Sequence, residues 1–198
     1  MQRLTLKEVS SNMPKIVDHD AKREQLLEPC LALFATKGFY ALSMRKISEE
    51  LGVTTGTLYH YFDGKLALFE QMIDRVIKSD VQAAVQEVPA DQNWPIKLLN
   101  LSRYLGQREG RFAQIIHVTL DYKRYEGESS KSLTNKVLNT YMQTISTQLG
   151  IDDRTQLDAL FSLILGVIVY RDLNPDASPI EQQFWALQKI GLEITKSI

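Results

Sequence analysis

The segment from Ser43 to Phe62 leaves this chain few choices of local structure. Ser43 heads a run in which its hydroxyl can accept from an otherwise unpaired N–H of a first helical turn, and Gly52 can take the left-handed conformation that stops a helix. The helix between them is about two turns long. Thr54 can cap a second one, and Gly56 in its first turn leaves room for a close backbone approach. Ile47 and Leu51 lie four residues apart, as do Leu58 and Phe62, so each helix offers one apolar stripe to a shared core. Thr55, Thr57, Tyr59, His60 and Tyr61 are left for other surfaces. Free N–H groups and the positive end of the dipole converge at such a helix start and suit phosphate oxygens. Two short helices broken by a tight turn, the second carrying small and aromatic polar side chains, read as a nucleic-acid reader rather than an active site.

The flanking segments extend the pattern. Asp20 offers an N-cap for a preceding helix whose apolar face is Leu26, Leu27, Cys30, Leu31 and Phe34. Pro29 falls near the opposite, solvent side, where its missing N–H, at about 3 kcal/mol in a helix interior, produces a mild kink. After the pair, Lys65 opens a helix with Leu66, Phe69, Ile73 and Ile77 on its inner face, running beyond Lys78. From Leu26 through Lys65 to that helix, the chain resembles the TetR family of bacterial transcriptional regulators. The Gly52-Val53 turn, the run from Gly56 to Phe62 and Lys65 carry the resemblance.

The resemblance implies an all-α fold, with an N-terminal three-helix helix-turn-helix DNA-binding domain and a C-terminal helical ligand-binding and dimerisation domain. It assigns Arg45 and Lys46 to the start of the positioning helix, Thr55 to Tyr61 to the recognition helix, and Lys65 to a phosphate contact. The expected DNA-binding set is Arg45, Lys46, Thr54, Thr55, Gly56, Thr57, Tyr59, His60, Tyr61 and Lys65. Two positions depart from the family pattern. Pro29 stands where alanine is usual, and Asp63-Gly64 replaces a commoner polar cap, placing an acid near the expected phosphate path unless Asp63 caps the next helix. The expected division is a polar arm at 1–19, a reader at 20–65 and an effector and dimerisation domain at 66–198.

Charge adds little to this. Residues 1–78 hold 11 basic and 10 acidic side chains and residues 79–198 hold 12 and 14, so DNA affinity must come from placement and pairing rather than from bulk charge. Lys22, Arg23, Lys37, Arg45, Lys46 and Lys65 all lie in or beside the reader. The arm carries Arg3, Lys7 and Lys15 and reads either as a solvated tail or as a segment that touches the DNA backbone or minor groove. With one cysteine there is no intrachain disulfide, and the spacing of Cys30 from Leu26 and Phe34 makes it a core residue before a redox sensor. No secretory signal and no membrane-spanning run is expected, which points to a cytoplasmic, nucleoid-associated protein.

Beyond Val88-Pro89 the punctuation predicts helices from Pro95 to about Leu105, Arg111 to about Tyr125, Lys131 to Leu149, Thr155 to Arg171, and one opened by Ser178-Pro179-Ile180-Glu181. Asp152 or Asp153 starts the fourth of these. The run Leu160 to Tyr170 is apolar nearly all round, more than one buried side requires. The last two helices are therefore expected to form a homodimer seam, with Gly166 and Gly191 permitting close approach. Pairing also sets two readers on a two-fold axis, as a palindromic double-stranded operator requires.

No catalytic or metal-binding constellation is evident: His19, His60 and His117 stand apart, and no Gly-rich phosphate loop follows a strand. No cofactor is expected. Tyr104, His117, Tyr122 and Tyr141 combine apolar bodies with polar tips and are the expected lining of a small-molecule effector pocket. Arg103, Arg108 and Arg111 read as solvated. The implied role is a ligand-responsive repressor; the alternative is a DNA-binding adaptor of the same fold acting through a protein partner, of the nucleoid-occlusion type.

Overall fold

A computed structural model describes residues 19–196, and the arm as far as residue 18 lies outside the described residues. Ten α-helices and no strand make up what is described. They are α1 (His19–Leu27), α2 (Cys30–Lys37), α3 (Met44–Glu50), α4 (Thr55–Tyr61), α5 (Gly64–Glu87), α6 (Trp94–Gln107), α7 (Glu109–Glu126), α8 (Lys131–Leu149), α9 (Arg154–Leu173) and α10 (Ile180–Lys196). A short 3₁₀ turn, Gly127–Ser130, joins α7 to α8.

The expected first helix is two. Glu28 N–H still donates to the Glu24 carbonyl and Leu33 N–H to that of Pro29, so the axis bends at Pro29 without the chain leaving helical space. Pro29 has φ −78° and ψ −8° and is exposed, as its place opposite the apolar face predicts. The break leaves carbonyls of α1 without their usual donors. One is taken up by a neighbour: the Cys30 thiol donates to the Leu26 carbonyl at 3.1 Å. Helix α1 begins at His19, which puts Asp20 inside the first turn rather than at the cap.

Helices α1 to α4 close over a core in which Cys30, Phe34, Ile47, Leu58 and Phe62 are essentially inaccessible. Helix α5 is shared. Its 24 residues span about 36 Å, its first half seals that core with Leu68, Phe69 and Met72, and its second half packs on α6 and α8. The expected boundary at 65/66 thus falls within the first turn of a continuous helix.

Helices α6 to α10 form the second half. Helix α9 packs on α7 and α8, and α10 lies along α6. Asn93 caps α6 and Asp153 caps α9, each carboxyl or amide oxygen accepting an N–H three residues on. Arg171 grips Glu109 with two hydrogen bonds of 2.5 and 2.9 Å and donates to the carbonyls of Ala177 and Ser178, tying the end of α9 to the start of α7. That Arg171 hydrogen bond holds the Glu109 carboxyl below its usual range against the opposing effect of burial.

Helix α9 buries Leu157, Ile164, Val167 and Ile168 but leaves Val169, Tyr170 and Leu173 exposed, and α10 leaves Trp185 and Leu187 exposed. Within the single chain a Cβ at Gly166 would meet nothing within 4 Å, so the position is open on the outer side of α9. The tight glycine is Gly106, where a Cβ would stand 2.6 Å from Glu181 Oε1 as α6 meets α10. Among the described residues no helix is long and apolar enough to cross a membrane.

Candidate nucleic-acid interface and interior cavity

The reader is built by its caps. Ser43 Oγ accepts from Lys46 N–H at 3.3 Å and opens α3; Gly52, at φ +65°, reverses the chain after it; Thr54 Oγ1 accepts from Thr57 N–H at 3.0 Å and opens α4. The two helices are then locked across the turn. Ser48 Oγ donates to the Arg45 carbonyl at 2.7 Å and sits 2.9 Å from Thr55 Oγ1. Thr55, expected to face DNA, is therefore half-buried at the crossing of the helices with its hydroxyl already bonded.

The rest of the expected DNA-binding set sorts by exposure. Thr54, Gly56, Tyr59 and His60 are exposed and Thr57 is half-buried. Arg45 is 84% exposed and pairs with Glu49 at 2.9 Å, one turn on. Lys46 Nζ donates to the Ala41 carbonyl at 2.9 Å from an exposed position. Tyr61 is half-buried on the core, and its ring lies 5.0 Å from His60 and 5.5 Å from His19. His19, the last residue of the arm, thus stands beside the end of α4.

Lys65, expected at a phosphate, is engaged within the reader. Its ammonium is turned inward, donating to the carbonyls of Phe39 at 2.8 Å and Leu42 at 3.0 Å, and lies 4.1 Å from the centre of the Phe39 ring. Burial lowers its pKa against the opposing field of Glu126. This cation fastens the turn between α2 and α3 by taking up two of its carbonyls. Asp63 precedes α5 without a side-chain cap bond.

In the second half, α5 to α9 surround a cavity of about 180 Å³. Val88, Leu101, Ile115, Val137, Phe161 and Ile168 supply much of its wall. Tyr104 and Tyr141 line it as expected, but both phenols are committed. Tyr104 Oη donates to the Asp80 carbonyl at 2.9 Å and Tyr141 Oη to the Asp80 carboxylate at 2.6 Å. Burial first, and then the Asp80 charge, push both phenol pKa values up.

Asp80, only 3% exposed, is completed by Arg111 Nε at 2.6 Å. This hub joins α5, α6, α7 and α8 and was missed in the sequence, where Arg111 read as solvated. The available signal was an acid on the inner stripe of α5, in register with Ile73, Val76 and Ile77. Arg108 is likewise engaged, on Glu87 and over the Tyr104 ring.

His117 and Tyr122 do not line the cavity. His117 is exposed, with Nε2 3.0 Å from Asp172 on α9. Tyr122 is buried against Phe39 and Phe69, with ring centres at 5.1 and 4.8 Å, at the joint between reader and cavity. The inner face of α7 runs through Phe112, Ile115, Thr119 and Tyr122; Leu120, although more than half exposed, still reaches the cavity wall, and Tyr125 is exposed outside it. Asp121 completes the joint by accepting from Phe39 N–H at 2.6 Å. Among the described residues no cluster of His, Cys, Asp and Glu is arranged to hold a metal ion.

These features recur in known proteins. The family described as "Bacterial regulatory proteins, tetR family" matches residues 26–72, which run from the end of α1 into the first half of α5. The HTH-type transcriptional regulator BetI of Vibrio parahaemolyticus is 32% identical over 172 residues, covering 82% of this chain and 86% of that protein. Two solved structures share the fold. The regulator FadR from Bacillus subtilis in complex with stearoyl-CoA has a TM-score of 0.69 at 17% identity, over 84% of this chain and 96% of that one. A transcriptional regulator from Saccharomonospora viridis in complex with choline has a TM-score of 0.69 at 18% identity, over 86% and 95%. Capped reader helices, a shared α5, and a relative matched along most of its length make this chain a member of the tetR family of bacterial regulatory proteins, a DNA-binding transcriptional regulator.

Proposed function

We propose that the protein is a one-component repressor that binds a palindromic double-stranded operator as a homodimer and releases it when a mostly apolar small molecule fills the cavity between α5 and α9. The observation that carries this reading is the continuity of α5: one helix seals the reader core with Phe69 and Met72 and, three turns on, contributes Asp80 and Ala84 to the cavity wall. A compound with unequal affinity for two arrangements of that wall shifts the arrangement of the reader.

Residues 20–65 then act as the reader and 66–198 as the effector and pairing domain, with 1–19 as the polar arm. Direct contacts come from Arg45, Lys46, Thr54, Gly56, Thr57, Tyr59 and His60, while Thr55 and Tyr61 set the pose of α4. Tyr104 and Tyr141 belong to the effector wall. The exposed apolar side chains Val169, Tyr170, Leu173, Trp185 and Leu187 supply the dimer seam, since a monomer gains nothing from leaving them in water.

Footprinting the purified protein on DNA beside its own gene tests the core of the proposal. Two protected half-sites about 34–36 Å apart, or a multiple of that spacing, are expected. Protection of no palindrome, or equal affinity for unrelated duplexes at physiological salt, would refute it. Charging the seam with Trp185→Asp and Leu173→Asp should give monomers by sedimentation and abolish the footprint.

A further inference from the structure

The polar groups on the cavity wall are almost all spoken for. Tyr104 and Tyr141 donate to Asp80, Asp80 is neutralised by Arg111, and Thr144 Oγ1 donates to the Thr140 carbonyl at 2.8 Å. The Gln148 amide is a further neutral hydrogen-bonding group on the wall. Thr119 differs: its hydroxyl is buried and has no hydrogen-bond partner among the described residues. A helical threonine ordinarily bonds back to the carbonyl one turn earlier, as Thr36, Thr140 and Thr144 do here. Thr119 forgoes that bond.

Its position explains what the hydroxyl is available for. Thr119 lines both the main cavity and a narrow cleft between α5, α7 and α8, whose other walls include Phe69, Tyr122 and Thr134. The Thr134 hydroxyl is also buried and unpartnered among the described residues. The cleft is too tight to hold a water, so solvent cannot satisfy either group. Leaving a buried hydroxyl unbonded is unfavourable, and a threonine in a helix has two accessible χ1 rotamers. Because Thr119 lies on both walls, rotation about χ1 is the freedom by which its hydroxyl can meet a group in the cavity.

We infer that Thr119 is the hydrogen-bonding contact for the effector, and that the effector is an uncharged molecule with a hydrocarbon body and one carbonyl or hydroxyl oxygen. This rests on the cavity being the effector site. A cation finds no open carboxylate, because Asp80 is already bonded to Arg111 and Tyr141. An anion finds no open cation, because Arg111 is bonded to Asp80. Either would be buried unpaired. A neutral oxygen both accepts from Thr119 and leaves the apolar wall for the rest of the ligand. The size also fits: an apolar cavity of roughly 150 Å³ accepts benzene, so about 180 Å³ suits a substituted ring or a short chain.

Calorimetric titration of the full chain with acetophenone, ethylbenzene, benzoate and benzylammonium tests this on matched shapes. The wild type is expected to bind acetophenone and ethylbenzene and neither ion. Thr119→Val should weaken acetophenone by about fivefold while leaving ethylbenzene unchanged or tighter, the range expected for one neutral hydrogen bond. Thr119→Ser should restore the wild-type ratio. Without ligand, Thr119→Val should melt higher than the wild type, because an unbonded buried hydroxyl is replaced by a methyl of the same shape. If both neutral probes bind and Thr119→Val leaves their ratio unchanged, the assignment to Thr119 falls while the cavity reading stands. Tightest binding by either ion overturns the neutral ligand class. If no probe binds, the cavity reading falls with it.

Discussion

Arg111→Met removes the cation from the Asp80 hub and leaves a carboxylate, 3% exposed, with the Tyr141 hydroxyl as its remaining side-chain donor. Stripping one partner from a buried ion pair typically costs 3–5 kcal/mol, because the other charge stays desolvated. Arg111 is itself about one-third exposed, so part of its attraction is already screened by solvent, and a loss of about 2–3 kcal/mol is expected. For a chain of this length each kcal/mol lowers the melting temperature by roughly 2–4 °C, which gives a fall of about 4–12 °C. The triple variant Asp80→Leu, Tyr141→Phe, Arg111→Met should recover most of the loss, since all three polar partners leave together and no buried group is orphaned. Urea unfolding followed by circular dichroism, at one protein concentration because association shifts apparent stability, measures both. A loss below about 1 kcal/mol for Arg111→Met would show that water already solvates Asp80. A triple variant no more stable than the single would show that the loss comes from packing of the arginine stem.

Lys65→Met should lower stability by about 2 kcal/mol through loss of its two carbonyl contacts while leaving the salt dependence of operator binding unchanged; a slope smaller by about one would restore Lys65 as a phosphate contact. Arg45→Ala and Tyr59→Ala, both at exposed side chains, should leave the melting temperature in place and weaken operator binding by roughly 1–3 kcal/mol each, and an unaffected double variant would remove them from the interface. Burial pushes the Cys30 thiol up to about 12, so a disulfide reagent at pH 8 should react only after denaturation; prompt reaction in the native state would contradict the sealed core of α2. The raised phenols of Tyr104, Tyr122 and Tyr141 stay neutral in the folded chain while their unfolded counterparts ionise near pH 10, so their contribution to stability is intact below that pH and is lost as pH rises above it. Phenolate absorbance should therefore rise in two phases, the second coinciding with unfolding, and one smooth phase for all eight tyrosines would refute the burial.

The reader was legible because its determinants are local. Caps at Ser43 and Thr54, the stop at Gly52 and the spacing of Ile47, Leu58 and Phe62 each act within a few residues. Helix spans beyond it were legible for the same reason. The cavity was legible only in part, because which face of α7 points inward depends on what α5, α8 and α9 bring to it. Helix α7 is apolar on two sides, and its phase is decided by Phe112 meeting Tyr104 and by Tyr122 meeting Phe39, pairs separated by up to 83 positions. His117 was consequently assigned inward and lies outward, beside Asp172. Charged partners are harder still: that Arg111 meets Asp80 and Lys65 meets the Phe39 carbonyl follows from the packed tertiary structure, whereas residue type alone makes both look solvated.

The joint between the halves constrains how any effector can work. The reader is held at two places: α5 grows out of it, and the turn after α2 is fastened to α7. At that second place Asp121 accepts from Phe39 N–H at 2.6 Å, and Phe39 stacks edge-on against Tyr122. Gly38, at φ +78°, makes the turn and lets Asp121 approach, since a Cβ there would lie 3.2 Å from its carboxylate. Two separate attachments to one rigid body leave rotation about the line joining them as its easiest motion, and relative displacement of α5 and α7 tilts that line. Thr119 is two and three residues before Asp121 and Tyr122 on one helix, so a displacement at the cavity wall reaches the turn without an intermediary. Asp80 and Arg111 bind α5 to α7 directly and resist the same displacement. On the proposed mechanism, a compound which fills the cavity while α5 and α7 keep their spacing is expected to raise the melting temperature without lowering operator affinity, and only one that separates them is expected to do both.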